Sequence, residues 1–283
     1  MALGFVKMHG LGNDFVLMNF IMAEPDIDWP LLAQRICDRR LGVGADGLVL
    51  ILPSDYADLQ MRIFNPDGSE AEMCGNAIRC VSRYLYERTM ILNSEMTIET
   101  KAGIKKTQLL FSEENGLEQI LVRVDMGIPV LEAAQIPVHS QATPVVNEGL
   151  ELETSQLQFS AVSMGNPHCV VFVPTLESVD FYRLGPEIEV HPRFPKKTNV
   201  EFVQVISPRE LKVRVWERGA GETLACGTGA CAVAVAAVLN GLAERAVAVD
   251  LPGGRLEIEW AEDGRVFMTG PAQYVFEGKW PDI

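Results

Sequence analysis

The sequence RIFNPDGSEAEMCGNAIRC at residues 62–80 has a second copy, RVWERGAGETLACGTGACA, at residues 214–232. An arginine, a glutamate and a Cys-Gly pair recur at a constant offset of 152 residues, so that Cys74 corresponds to Cys226. Solenoid repeats are about 20–50 residues long, so this period does not indicate a solenoid. It predicts two similar domains that face one another, each offering one cysteine to a shared cleft.

The repeat extends beyond these two segments. Gly12-Asn13 recurs as Gly165-Asn166, and residues 47–49 correspond to residues 199–201. A chain of 283 residues is long enough for about two domains of ~150 residues each. The repeat therefore accounts for the whole chain as a duplicated domain.

The boundary between the domains is expected near residue 125. We expect one domain to comprise residues 1–124 and 272–283, and the other to comprise residues 125–271. The crossing is marked by a strand-like segment at 119–125 and the Met-Gly-Ile-Pro sequence after it. The last residues are expected to return to the first domain.

The chain is acidic, with a net charge of −14 and a pI of about 4.8. Binding to nucleic acid or to an anionic membrane requires a basic patch, so neither is expected as a partner. The same charge disfavours a multiply charged anionic substrate unless local cations or helix ends offset it.

The sequence also indicates a cellular compartment. The N-terminus lacks a basic region followed by a long apolar run, so we expect no signal peptide. The longest small-apolar run, residues 230–239, is about half as long as the ~20 residues of a membrane span. Six cysteines without a Cys-x-x-Cys pair predict neither a disulfide scaffold nor a metal site. We therefore expect a cytoplasmic protein with reduced thiols.

Short apolar or alternating runs dominate the sequence and predict strands. They lie at residues 15–18, 48–52, 59–64, 96–100 and 120–124, and again at 169–173, 200–205, 211–216, 246–249 and 256–260. Turn residues separate them at 65–68, 114–116, 252–254 and 262–264.

Three helices are predicted, at residues 29–38, 75–88 and 227–239. The two longer helices begin directly after Cys74 and Cys226, and the small residues of the last one indicate burial on all sides. The predicted fold class is α/β, of the α+β kind. Two similar β-rich domains, each wrapped around a central helix, are expected to be related by a pseudo-two-fold axis.

The position of the two cysteines at helix starts suggests reactivity. The positive end of a helix lowers the pKa of a thiol from its usual ~8.5 toward neutrality. The unpaired N–H groups of the first turn are a ready site for a carboxylate. One structural element would thus supply both a thiolate and an anchor for an acidic substrate group.

Two such elements facing each other would suit racemisation or epimerisation of an amino acid. One cysteine would take the α-proton as thiolate and the other would return a proton as thiol. The two helix N-termini would stabilise the negative charge that develops on the substrate carboxylate. The alternatives without catalysis are that both cysteines are small buried hydrophobic residues, or that they form a structural disulfide. The remaining cysteines lie in apolar patterns and are expected to be structural: Cys37, Cys80, Cys169 and Cys231.

The chain resembles the diaminopimelate epimerase family over essentially its whole length. The motifs that carry the resemblance are HGLGNDF at 9–15, GVGADG at 42–47, FNPDGSEAEMCGNAIRC at 64–80, MGNPHCV at 164–170, TNVEFV at 198–203, WERGAGETLACGTGA at 216–230 and TGPA at 269–272. The resemblance implies a cofactor-independent interconversion of LL- and meso-diaminopimelate, which serves lysine and, in bacteria, peptidoglycan synthesis. It implies a small-molecule substrate, and we also expect a homodimer.

The resemblance further implies a set of site residues. Cys74 and Cys226 correspond to the two catalytic bases, and His168 and Glu217 to catalytic residues that tune the pKa values of the cysteines. The reacting end of the substrate would be held by Gly75, Asn76, Gly227 and Thr228. The substrate, chiefly its distal L-centre, would be held by Asn13, Asn65, Asn166, Asn199, Glu217 and Arg218. A zwitterionic distal end calls for a cation, neutral donors and a carboxylate, which this set supplies.

The chain departs from some family members at one position. They carry glutamine where this chain has Gly47. That side-chain contact is absent here, or backbone and water replace it.

Three other interpretations compete with this one. A proline racemase or hydroxyproline epimerase would also use two thiols as bases. Its small substrate, however, has no distal charged groups that a second set of polar residues would bind. A phosphate- or nucleotide-binding module could use the glycines at 42–47, but no Gly-Lys-Ser/Thr and no complete Gly-x-Gly-x-x-Gly follows. A thiol redox or interaction protein could use the same cysteine pair without catalysis.

Overall fold

The computed structural model describes residues 2–88, 90–91, 93–114 and 117–281. The chain folds as two compact units, one formed by residues 1–125 and 269–283 and the other by residues 126–268. The predicted boundaries at 124/125 and 271/272 lie close to these. The predicted turn at 114–116 falls partly outside the described residues, because Asn115 and Gly116 are not among them.

The first unit is built from nine strands and two helices that the described residues form. The strands are β1 (Leu3–Gly10), β2 (Asn13–Asn19), β3 (Gly47–Leu52), β4 (Leu59–Phe64), β5 (Glu70–Ala71), β6 (Glu95–Thr100), β7 (Gly103–Glu114), β8 (Leu117–Gly127) and, from the end of the chain, β18 (Gln273–Trp280). The helices are α1 (Trp29–Ile36) and α2 (Gly75–Glu87).

The second unit repeats this inventory. Its strands are β9 (Glu148–Glu151), β10 (Gln156–Ser163), β11 (Pro167–Phe172), β12 (Asn199–Ser207), β13 (Glu210–Glu217), β14 (Gly221–Thr223), β15 (Ala246–Leu251), β16 (Gly254–Trp260) and β17 (Val266–Pro271). Its helices are α3 (Phe181–Glu189) and α4 (Gly227–Leu239), with a short 3-10 helix at Leu176–Ser178.

The strands of the two units pair in the same order. In the first unit β1 and β2 are antiparallel, β2 and β3 parallel, β3 and β4 antiparallel, and β4 and β6 parallel. In the second unit the same directions hold for β10 and β11, β11 and β12, β12 and β13, and β13 and β15. The register repeats as well, since Phe64 faces Glu70 and Trp216 faces Glu222. The prediction of two similar β-rich domains is confirmed.

Each unit encloses one helix. α4 packs against β10, β11, β12, β15 and β16, and its residues 229–237 are all buried. Such complete burial is possible because the helix consists of alanine, valine, glycine and cysteine almost throughout, so the strands can approach it from all sides. α2 packs against β1, β2 and β7 and carries longer side chains.

The fully buried Arg79 shows how α2 accommodates a charge. Its Nε donates to the carbonyl of Pro271 at 3.1 Å, and its Nη1 donates to the carbonyl of Gly75 at 3.2 Å. The neighbouring Arg83 donates to the carbonyl of Ala272. The returning end of the chain is thus bound to the central helix of the first unit.

A second helix covers the outer face of each sheet. Trp29, Leu32 and Ile36 of α1 join a hydrophobic cluster with residues of β2 and β3. Phe181 and Leu184 of α3 join the corresponding cluster of the second unit with residues of β10, β11 and β12. All six residues of β3 are buried, as expected for a strand with both faces covered.

The sequence analysis missed some elements. It did not predict α3, because Gly185 and Pro186 are poor helix formers in the middle of a nine-residue helix. It also missed β1, β7, β9, β10, β17 and β18 and the two short strands β5 and β14. Most residues of β18 are exposed or half-buried, so it lacks an alternation of buried and exposed positions.

The packing of α3 on β13 yields a stability prediction. A Cβ on Gly185 would lie 2.8 Å from the Trp216 ring, which is fixed by a 2.9 Å hydrogen bond from its Nε1 to Glu189. Gly185→Ala gains helix propensity, but the clash outweighs it, and overpacking costs roughly 1–3 kcal/mol. We expect a lower urea midpoint for the second unit by circular dichroism.

Gly4→Ala serves as the control, because a Cβ at Gly4 would meet no atom within 4 Å. An unchanged midpoint in Gly185→Ala would contradict the close packing of α3 on Trp216.

Candidate functional site

Both cysteines occupy the N-cap positions of the central helices. Cys74 has φ −139° and ψ 119°, and Cys226 has φ −113° and ψ 109°. This extended backbone is typical of N-caps, where the side chain faces the N–H groups of the first turn. Accordingly the N–H of Gly229 donates to the Cys226 sulfur at 3.4 Å. The predicted helix starts at Gly75 and Gly227 agree with the structure.

In the first unit, Cys74 lies beside two asparagines that were predicted to bind the substrate, Asn13 and Asn76. These three residues and Gly75 form the first half-site. The Cys74 thiol donates to Asn13 Oδ1 at 3.7 Å, and Asn76 Nδ2 donates to the same oxygen at 3.0 Å. Asn13 follows a turn in which Leu11 and Gly12 both have positive φ, which brings its side chain to the start of α2. Gly75, the first residue of α2, is buried beside them.

A network of charged side chains, which the sequence analysis missed, holds the side chain of Asn13 in place. Asn13 Nδ2 donates to Asp46 at 2.8 Å, and Arg39 Nη2 binds both Asp46 and Asp14 at 2.7 Å. The buried Lys7 binds Asp14 at 2.6 Å. Burial disfavours ionisation of Asp14, but the hydrogen bonds from Arg39 and Lys7 outweigh it and lower its pKa to about 2.

Asn65 lies in the turn between β4 and β5. Its Nδ2 donates to Ser69 Oγ at 3.0 Å, and its N–H donates to the Ser69 carbonyl at 2.8 Å. These bonds keep the side chain within its own turn. Gly47, the position that departs from some family members, is buried at the start of β3.

The second half-site surrounds Cys226 with polar groups. Thr228 Oγ1 lies 3.5 Å from the Cys226 sulfur. Glu217, at the end of β13, accepts a 2.6 Å hydrogen bond from Thr223. Its charge is among the causes that raise the pKa of the Cys226 thiol, so Glu217 lies close enough to influence that thiol.

His168 is fully buried and bonded through both ring nitrogens. Its Nδ1 lies 2.7 Å from Glu201 Oε1, and its Nε2 lies 2.9 Å from Asn166 Oδ1. Glu201 is also fully buried, and a Cβ on Gly229 would approach its Oε1 to 2.8 Å. Glu201 thus packs against the first turn of α4, close to Cys226.

The sequence analysis missed Glu201 as a functional residue, although a signal was present. The repeat aligns it with Val49, which lies in an apolar strand of the first unit. A carboxylate that replaces valine in a buried strand has to be paired, so it marks a polar site.

The side chain of Asn199 contacts the backbone of Arg218 in the second unit. Asn199 Nδ2 donates to the carbonyl of Pro167 at 2.8 Å, and its Oδ1 accepts from the N–H of Arg218 at 2.9 Å. Asn199 is 3% exposed, whereas Arg218 is exposed. Asn199 therefore holds the backbone from which the Arg218 guanidinium extends.

The expectation of a lowered cysteine pKa is wrong for Cys226. Burial, followed by the charges of Glu217 and Glu201, raises the pKa of this thiol well above its usual range. The hydrogen bonds from Thr228 and Gly229 act in the opposite direction but do not overcome it. Burial also raises the pKa of Glu217, although Thr223, His168 and Cys226 partly offset the rise.

Two further features of the described residues bear on other functions. The described residues contain no cluster of three or more His, Cys, Asp or Glu side chains suited to a metal ion. They also contain no helix that is long and apolar enough to cross a membrane.

Comparison with known proteins identifies similar chains. A sequence model of the diaminopimelate epimerase family matches residues 5–132 and 160–275. A diaminopimelate epimerase of Desulfitobacterium hafniense is 58% identical over 96% of both chains. One of Methanococcus maripaludis is 52% identical over 97% of this chain and 98% of its own.

Solved structures of more distant proteins share the fold. A PhzF-family phenazine biosynthesis protein of Bacillus anthracis has a TM-score of 0.72 and 18% identity, with both chains fully covered. A hydroxyproline epimerase of Agrobacterium vitis has a TM-score of 0.68 and 17% identity, covering 98% of this chain and 90% of its own. Identities this low support the fold alone.

The raised pKa of Cys226 predicts its reactivity. Because a raised pKa keeps the thiol protonated at pH 7–8, iodoacetamide should modify Cys226 slowly there and faster only at higher pH. The measurement is the modification rate of the Cys226 peptide by mass spectrometry from pH 6 to 10 in the substrate-free protein. The Cys169 peptide, whose thiol is also buried with a raised pKa, is the internal comparison. Rapid modification of Cys226 at pH 7 would contradict the prediction.

Proposed function

Because the chain belongs to the diaminopimelate epimerase family, we propose that Cys74 and Cys226 are the two bases of its reaction. The protein is an epimerase that interconverts LL- and meso-diaminopimelate, as its relatives of high identity indicate. Epimerisation without a cofactor needs one group to remove the α-proton and another to return a proton to the opposite face. The duplicated cysteines provide one such group each.

The observation that carries this proposal is the shared N-cap geometry of the two thiols. Each cysteine lies at the start of a buried helix, at the same register of a duplicated fold. A structural cysteine would not need this position in both units. The N–H groups of each first turn also favour a carboxylate, so charge developing on the substrate carboxylate would be stabilised there.

The electrostatics of Cys226 support its role as the proton donor in one direction of the reaction. Burial and two carboxylates keep this thiol protonated, so it is ready to return a proton to the α-carbon. In the other direction Cys226 has to lose its proton first. Glu217, whose charge acts on the thiol and whose own pKa is raised, is suited to accept that proton.

The polar residues around the second half-site support recognition of the distal end of the substrate. Arg218 carries the exposed cation that a distal carboxylate would pair with. Asn166 and Asn199 supply amide groups, although Asn199 already uses both polar atoms of its amide on the backbone. Asn65, in the first unit, remains a proposed substrate-binding residue from the family resemblance. A proline-sized substrate would leave this set unused, which favours diaminopimelate over the proline racemase alternative.

Two further expectations, the cellular location and the oligomeric state, remain proposals. A cytoplasmic location is proposed from the sequence, whose six cysteines include no Cys-x-x-Cys pair and are too sparse for a disulfide scaffold. A homodimer is proposed from the family resemblance alone, and light scattering of the purified protein would test it.

The two-base proposal is tested by removing each thiol. Cys74→Ala and Cys226→Ala should each reduce epimerisation by at least about 10²-fold, since each removes a proton-transfer group. The assay follows LL- to meso-diaminopimelate, and the reverse, by chiral chromatography, with circular dichroism to verify the fold.

Cys37→Ala is the matched control, because Cys37 is buried at the end of α1, outside both half-sites. It should keep near-normal activity. Full activity in either of the other two variants would exclude the two-base mechanism.

Recognition of the distal carboxylate is tested at Arg218. Arg218→Ala should raise KM for diaminopimelate about 10-fold or more, because it leaves the substrate carboxylate without its charged partner. Lysine lacks that carboxylate and should be a poor substrate for the unaltered protein. Equal kcat/KM values for lysine and diaminopimelate would refute this role of Arg218.

A further inference from the structure

Glu201 and His168 form a completely buried pair of polar side chains in the second unit. Both side chains are 0% exposed, and the two atoms that join them, Oε1 and Nδ1, are 2.7 Å apart. The second carboxylate oxygen of Glu201 is buried and has no hydrogen-bond partner within the described part of the chain. An isolated carboxylate in such a place is strongly disfavoured, so Glu201 depends on His168 to share a proton with it.

The hydrogen-bond geometry determines where the ring protons lie. Both ring nitrogens of His168 face oxygen atoms, Glu201 Oε1 on one side and Asn166 Oδ1 on the other. The proton between Nδ1 and Oε1 belongs to the ring or to the carboxyl group. Because Nε2 faces the acceptor oxygen of the Asn166 side chain, Nε2 carries a hydrogen and donates it to Asn166 Oδ1.

This bond orients the amide of Asn166. With Oδ1 held by His168, the Nδ2 hydrogens face away from the ring and are left to donate to another acceptor. Asn166 is half-buried in the turn between β10 and β11, where Gly165 has φ +98°. The opposite amide orientation would present an oxygen to the substrate and would repel a carboxylate.

We infer that Glu201 is a positioning residue, which acts through His168 to present the Asn166 amide as a donor to the substrate. This inference rests on the proposed role of Asn166 in binding diaminopimelate. Glu201 does not touch the substrate in this scheme. It fixes the proton arrangement of the ring, and the ring fixes the amide.

The state of the ring can be tested in the unaltered protein. His168 is the only histidine among the four in the sequence whose side chain is completely buried, and ¹⁵N-labelled imidazole groups are resolved by NMR. Nε2 of His168 should carry a hydrogen and should show a one-bond N–H coupling. The resonance is assigned by its loss in His168→Gln. An unprotonated Nε2 would overturn the inference, because Asn166 would then have to be reversed.

A double-mutant cycle tests the path from Glu201 to the substrate. Glu201→Leu removes the partner of Nδ1 and should raise KM about 10-fold, as expected for one lost hydrogen bond to the substrate, with a smaller effect on kcat. In an Asn166→Ala background the same change should add almost nothing to KM, because the group it positions is gone. Additive effects would show that Glu201 does not act through Asn166.

A conservative variant separates positioning from bulk packing. Glu201→Gln can still hydrogen-bond Nδ1, so its KM should lie nearer that of the unaltered protein than the KM of Glu201→Leu does. Equal KM values for the two variants would contradict the positioning role. Glu210→Gln, at a half-buried carboxylate on β13 that pairs with Arg255, is the control and should leave KM unchanged.

The outcome for this inference is distinguishable from that for the proposed function. If the unaltered protein did not epimerise diaminopimelate, the proposed function would fail while the NMR result at His168 would stand. If it did so and the cycle were additive, only the role of Glu201 would fail.

Discussion

The burial of one helix inside each strand-rich unit is the constraint on which the site depends. α4 is surrounded by five strands, so its N-terminus has no freedom to move relative to them. Cys226 caps that N-terminus and is therefore held against the ends of the strands that carry Glu217 and His168. The same relation holds for α2, Cys74 and the turn that carries Asn13. Packing thus fixes the position of each cysteine and of the helix N-terminus that it caps.

The two half-sites share a backbone but differ in charge. Behind Cys74, two aspartates are neutralised by Lys7 and Arg39, and the network ends on the neutral amide of Asn13. Beside Cys226, the carboxylates of Glu217 and Glu201 act on the thiol itself. The substrate of the epimerase has two different ends, a reacting centre and a distal centre of fixed configuration. Half-sites that differ in charge are consistent with such an asymmetric substrate.

The sequence predicted the backbone of the site well and its electrostatics poorly. The Cys-Gly pairs located both helix starts, because an N-cap residue followed by glycine is a local signal. The repeat predicted two units of one topology, since it carries the same strand and turn pattern twice. α3 was missed because its glycine and proline oppose a helix, and packing on the hydrophobic cluster of the second unit and on Trp216 stabilises it. The pKa of Cys226 was predicted in the wrong direction, because the depth of burial and the nearby carboxylates come from distant parts of the chain.

The central claim is that two different thiols handle the proton on the two faces of one α-carbon. Its most direct test is the reaction of LL-diaminopimelate in D₂O, followed by NMR of the α-protons during the first few per cent of conversion. A thiol carries one proton and the donor exchanges with solvent beforehand. The account therefore predicts deuterium at the inverted centre of the meso product and retained protium in the recovered LL substrate. Protium at the inverted centre, or exchange in the recovered substrate as fast as in the product, would show that a single base serves both faces.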